Sequence, residues 1–106
     1  MNNEELDIRI VFDDNATIIG NAAFSMNGDV TLTDPAFLIP DESGTVHFIP
    51  ALQAMGVAQH ETEIFITKDK LKFGKAFEAE PRIANQYKMQ FGYAVLELPE
   101  EKKLIL

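Results

Sequence analysis

Gly20–Pro35 reads GNAAFSMNGDVTLTDP, and its centre sets the fold class. Asn27-Gly28 lies between two runs that alternate like strands. Such a pair is the strongest short-range hairpin signal, because both central residues of a type I′ turn need positive φ. Beyond the turn, Val30 and Leu32 point one way and Thr31 and Thr33 the other, as in a half-buried strand. Gly20 interrupts the incoming strand, where a glycine marks a bend or a close backbone approach. Pro35 cannot donate a ladder hydrogen bond, so the far end is an edge or a bulge.

Working outward, Asp7–Phe12 is expected as the first strand, with Ile8, Ile10 and Phe12 on one face. Asp13-Asp14-Asn15 turns the chain, since Asn tolerates the left-handed conformation. Ala16–Phe24 and Val30–Ile39 are the second and third strands, and Pro40–Gly44 is a loop. Val46–Ile49 is compatible with a strand, and Pro50–Met55 with one helical turn ended by Gly56. Glu63–Thr67 and Lys70–Phe73 read as two short strands around Lys68-Asp69, with Leu71 and Phe73 sharing a face. Pro81–Phe91 carries the clearest helical pattern: Pro81 at the start, Ile83, Tyr87 and Phe91 as a stripe, and Gly92 as the stop. Tyr93–Leu98 is compatible with a last strand, and Pro99–Leu106 is a tail that frays or docks on a neighbour.

A chain of 106 residues holds one core, so residues 1–106 are expected as a single domain. The hydrophobic share of 46% suits a globular chain. No apolar run approaches the roughly 18–20 residues of a membrane span, so no membrane partner is expected. MNNEELD has neither a basic nor an apolar segment of a signal peptide. The absence of cysteine removes disulfides, thiolate metal sites and thiol catalysis, and it allows a reducing, cytoplasmic setting.

Net charge is −8, but it is unevenly spread. Residues 1–53 hold Arg9 against nine carboxylates, whereas residues 54–106 are balanced. Lys68, Lys70, Lys72 and Lys75 cluster in one short stretch, which can hold an anion with salt dependence or simply protect a strand edge. His47, His60 and Glu61 are the only histidine-site candidates, and their spacing is not that of a metalloprotease. No glycine-rich phosphate loop and no nucleophile–base pair is recognisable. No cofactor, metal site or catalytic residue is expected, and an enzyme using carboxylate-bound metal is the weakest of the readings. The stripe Ile83, Tyr87, Phe91 reads as core or subunit packing, with Tyr87 or Tyr93 as a remote candidate for stacking a base.

These residues resemble the Sm and Sm-like (LSm) family, and most of all its small divergent phage members, including those of marine cyanophage. In that family a turn glycine is followed five residues later by the glycine that bends the second strand. Phe12-Asp13-Asp14-Asn15 and Gly20 keep that spacing, with Asn15 for the turn glycine. The Sm1 motif runs aromatic–Asp–x–x–Met–Asn–hydrophobe–x–hydrophobe–x–Asp, and Phe24, Ser25, Gly28, Asp29, Val30, Leu32 and Asp34 fill that frame. Ile66-Thr67-Lys68-Asp69-Lys70-Leu71 fits the Sm2 frame, hydrophobe–Arg–Gly–Asp/Asn–x–hydrophobe. One residue fewer separates Gly20 from Phe24 than in typical members, which reverses side-chain alternation unless a bulge absorbs it.

The resemblance implies a mainly β fold: a small, strongly bent, five-stranded antiparallel barrel with a short C-terminal helix. Its barrel core would span residues 7–39 and 63–77, with 45–59 as an insertion and 81–106 as helix and tail. It further implies a closed homo-oligomeric ring through pairing of strand four (Glu63–Thr67) with strand five (Lys70–Phe73) of the next subunit. Single-stranded RNA would bind at the pore through Ser25, Asn27, Asp29, Thr67, Lys68 and Lys70. The family stacks a base on an aromatic or histidine, bonds its edge with Asn and supports both with Arg. Here Asn27 stands at the stacking place, Asp29 replaces Asn, Thr67 replaces Arg and Lys68 replaces Gly. Either an Asp29–Lys68 pair substitutes for Asn–Arg, or Lys68 and Lys70 contact phosphate while Asp29 serves a base or a cation. A ring that binds protein instead, with a structural or assembly role, is the alternative.

Overall fold

The hydrophobic alternation becomes six antiparallel strands in the computed structural model, which describes residues 6–14 and 16–92. In chain order these are β1 (Ile8–Phe12), β2 (Thr17–Phe24), β3 (Val30–Pro40), β4 (Val46–Pro50), β5 (Glu63–Ile66) and β6 (Phe77–Glu78). One turn of helix, α1 (Ala51–Ala54), follows β4, a 3₁₀ turn (Lys68–Lys70) follows β5, and α2 (Pro81–Gln90) follows β6. The strands form one open sheet in the order β4-β3-β2-β1-β6, and β5 joins it by pairing with β3.

β3 serves two neighbours along one edge. Residues 30–33 pair with β5, and residues 36–40 pair with β4. The break between the halves is the bulge that the short Gly20–Phe24 spacing requires. Ile19 faces Ala36 and Asn21 faces Thr33, so Gly20 alone opposes Asp34 and Pro35. Such a two-against-one insertion bends the strand and flips its alternation. Val30 and Leu32 pack in one cluster with Ile18, Val11 and Leu71; beyond the bulge Phe37 joins that cluster while Ala36 and Leu38 join the other. Adjacent strand residues point to opposite faces, so Ile18 and Ile19, both buried but in different clusters, show that both faces are covered at this point.

The bulge is sterically tight. A Cβ on Gly20 would lie 3.2 Å from the Thr33 carbonyl oxygen and 3.3 Å from the Leu32 Cβ. Asp34 adopts φ 54°, the only positive φ outside glycine among the described residues. The Asp34 N–H continues the β5 pairing by donating to the Thr62 carbonyl at 2.7 Å.

α2 covers the face lined by Ile8, Ile19, Ala36 and Phe48. Its expected stripe holds: Ile83, Tyr87 and Phe91 all point into that cluster, and Gly92 ends the helix with φ 81°. Tyr87 is fully buried, stacks on Phe91 at 4.7 Å and meets Phe48 edge-on at 6.0 Å. Its hydroxyl is directed at the carbonyls of Thr33 and Asp34, at the bulge. Burial excludes Tyr87 as a platform for a base.

Three expectations need correction. The β2–β3 turn is not type I′: Gly28 has φ 94°, but Asn27 does not have positive φ. The Gly28 N–H donates to the Ser25 carbonyl (3.1 Å) and the Ser25 N–H to Asp29 (2.9 Å), so a type I turn with glycine in a bulge position closes a three-residue loop. Lys70–Phe73 is not a strand. The chain tightens into the 3₁₀ turn, buries Leu71, bonds β1 from Lys72 N–H to the Phe12 carbonyl (2.8 Å), and returns to the sheet at β6. The described residues form six strands rather than five, because β4 pairs with β3 and β6 with β1. Asn15 and the expected strand and tail from Tyr93 onward lie outside the described residues.

Two substitutions check this arrangement by thermal or urea unfolding. Gly20→Ala presses a methyl on backbone and should destabilise by about 1–3 kcal/mol. Tyr87→Phe removes a buried donor and should cost about 1–3 kcal/mol. An unchanged midpoint in either variant would show that the bulge does not depend on that residue.

Candidate functional site

The β2–β3 hairpin loop and the segment after β5 meet at one end of the sheet. Pairing of residues 30–33 with β5 brings Asp29 beside Thr67 and Lys68, although nearly forty residues separate them in sequence. The Asp29 Oδ1 accepts the Lys68 backbone N–H at 2.8 Å. Gly28 lies against the Lys68 stem, where a Cβ would come within 3.0 Å of Lys68 Cδ. Asn27, Asp29, Lys68, Asp69, Leu71, Lys72 and Gly74 line the resulting shallow depression.

Each expected site residue can now be placed. Ser25 is exposed and holds the loop: its Oγ donates to Asn27 Oδ1 and accepts the Asp29 N–H at 3.1 Å. With Oδ1 so engaged, Asn27 presents its amide donors outward. Asp29 is half-buried and bonds the Lys68 backbone rather than its ammonium. Thr67 supports the 3₁₀ turn, its carbonyl accepting the Lys70 N–H at 2.9 Å. The Thr67 side chain, with the Asp69 backbone N–H and nearby Lys70, holds the Asp69 carboxyl below its ordinary value. Lys68 is exposed at the depression, whereas Lys70 is not among its lining residues. Lys72 takes its place there. Read as a strand, residues 68, 70 and 72 share one face; the three-residue period of a 3₁₀ turn breaks that register.

The depression combines hydrogen-bonding groups with uncommitted positive charge. Among the described residues, ion pairs join Arg9–Asp7, His47–Asp41, His60–Glu61 and Arg82–Glu80, and none uses Lys68, Lys70, Lys72 or Lys75. The site can therefore bond a polar group through Asn27 and attract an anion through Lys68 and Lys72. Among the described residues no three histidine or carboxylate side chains come together as a metal site.

Away from this site, Asp41 organises the β3–β4 loop. It accepts the Ser43 hydroxyl (2.7 Å), the Ser43 and Thr45 N–H groups (2.9 and 3.1 Å), and contacts His47 Nε2 at 2.9 Å. The Ser43 hydroxyl first, and then His47, hold its carboxyl well below the ordinary value of 3.8. A depressed carboxyl pKa stabilises the fold above its unfolded value, and that contribution is lost as pH falls through the folded value. Wild type should therefore lose thermal stability on acidification below about pH 4, and Asp41→Ala should lose less over the same interval. Parallel melting curves across that range would reject the loop assignment.

No protein-family model matches this sequence, and no curated protein matches it.

Proposed function

We propose that this chain is a divergent Sm-like subunit that assembles into a closed homo-oligomeric ring and binds single-stranded nucleic acid, RNA foremost, with a role in RNA or DNA processing. The reading is non-enzymatic. The observation that carries it is the Asp29–Lys68 junction, which unites the two stretches whose frames resemble Sm1 and Sm2. In this reading Asp29 is a buttress: its carboxylate orients the Lys68 segment and leaves the ammonium for phosphate. Asn27 bonds a base edge through its amide donors, Ser25 and Thr67 hold their loops, and Lys68, Lys70 and Lys72 supply charge.

The bent sheet is compatible with a partly closed barrel, since β3 turns at its bulge to meet both β4 and β5. Among the described residues β5 pairs only with β3 and β6 only with β1, which leaves one edge of each free. Open edges are aggregation templates unless covered. Ring closure by pairing β5 with β6 of the next subunit would cover both, together with Phe65, which is 62% exposed. This replaces Lys70–Phe73 as the partner edge.

A protein-binding ring with a structural role is the second reading. Ile39 and Ile49 are exposed beside half-buried Phe37 on the β3–β4 hairpin, an apolar patch that a protein would cover.

Sedimentation velocity should show one discrete species several times the mass of the chain; a monomer overturns the ring. Labelled oligo-U and oligo-A should bind at low salt and weaken as salt rises. Lys68→Glu should reduce that affinity and flatten its salt dependence. A discrete oligomer that ignores both oligonucleotides at low salt favours the protein-binding ring.

A further inference from the structure

Base stacking contributes strongly to single-strand affinity, yet Asn27 offers no π-face for it. We infer that Phe73 supplies the stacking surface, with Lys72 and Lys75 beside it as phosphate contacts; this inference rests on the nucleic-acid reading above. Phe73 is next in sequence to Lys72 and Gly74, which line the depression, while its own ring lies outside that lining. It belongs to a trio of rings with Phe12 and Phe77, whose centroids are 5.4, 5.7 and 6.1 Å apart.

Phe12 and Phe77 are half-buried. Phe73 remains 60% exposed, far more than packing between β1 and β6 requires. Phe73 meets Phe12 at 79° and Phe77 at 78°, edge-to-face contacts in which no ring stacks parallel on it.

Charge selects the occupant. The Lys72 ammonium lies over the Phe73 ring, 5.9 Å from its centroid, and the Lys75 ammonium over the Phe77 ring at 5.1 Å, so a base on Phe73 either displaces Lys72 or takes the opposite face. Neither lysine is in an ion pair among the described residues. The nearby Asp69 carboxyl is held below its ordinary value by the Thr67 side chain, its own backbone N–H and Lys70. An exposed ring flanked by unpaired ammonium groups suits a ligand that alternates π-faces with phosphates. A single strand held at Asn27 and Lys68 would continue over Lys72 and lay a base on Phe73.

The sequence contains no tryptophan, so Phe73→Trp places a unique fluorophore at the surface. Its emission should be quenched on titration with oligo-U or oligo-A of about 12 nucleotides. Phe73→Leu, which keeps an apolar contact with Phe12 and Phe77, should bind both about 5- to 150-fold more weakly with an unchanged salt slope. Lys72→Gln should instead lower the salt slope by roughly 0.7. Circular dichroism verifies that each variant is folded, and an unfolded Leu variant leaves the decision to the tryptophan signal. If wild type binds but the folded Leu variant matches it, or the Trp signal does not change, Phe73 is not the platform and the nucleic-acid reading stands. If wild type binds neither oligonucleotide at low salt, both fall.

Discussion

The fold depends on how one bulge is satisfied. β3 pairs with β2 from Val30 to Phe37 while offering successive halves of its other edge to β5 and β4. A regular strand cannot also redirect its hydrophobic face midway, because its side-chain period is two. Asp34-Pro35 opposite Gly20 provides the extra residue. Buried carbonyls without partners are costly. The Tyr87 hydroxyl supplies a donor to Thr33 and Asp34, and the Gln90 side chain does the same for the Phe48 carbonyl at 2.7 Å. α2 is therefore a source of hydrogen bonds to an irregular sheet as well as a hydrophobic cover.

This arrangement explains which parts of the fold could be read in the sequence. Gly20, Pro35, the Asn27-Gly28 turn and the Ile83–Tyr87–Phe91 stripe are local signals, and each marks a real bend, bulge, hairpin or core face. The turn type was not legible, since a single positive φ at Gly28 also suits a three-residue loop. Lys70–Phe73 misled because alternation around Leu71 mimics a strand. The decisive forces there are tertiary: Leu71 is drawn under Val30 and Leu32, and Thr67 and Asp69 tighten the preceding turn. The same turn exchanges Lys70 for Lys72 at the depression. Asn27, Asp29 and Lys68 lie at one depression, but no local pattern reveals that Asp29 bonds a backbone N–H rather than the lysine ammonium.

The charge distribution follows from that bond. A carboxylate and a lysine at neighbouring positions would ordinarily screen each other, and a site containing both would attract anions poorly. Here the two nearest carboxylates are committed to hydrogen-bond donors: Asp29 to the Lys68 N–H, and Asp69 to the Thr67 side chain. Both aspartates line the depression, while the ammonium groups of Lys68 and Lys72 form no ion pair among the described residues. Net charge of −8 therefore sets the protein's long-range field but not the chemistry of this surface. An approaching polyanion is repelled at distances beyond the screening length and attracted only at contact, so physiological salt weakens the contact and also screens the repulsion. A non-electrostatic contribution then matters more to affinity than it would on a basic protein. In the proposed reading an exposed aromatic ring beside the lysines would supply that kind of contribution, and Phe73 would then matter to affinity as much as charge.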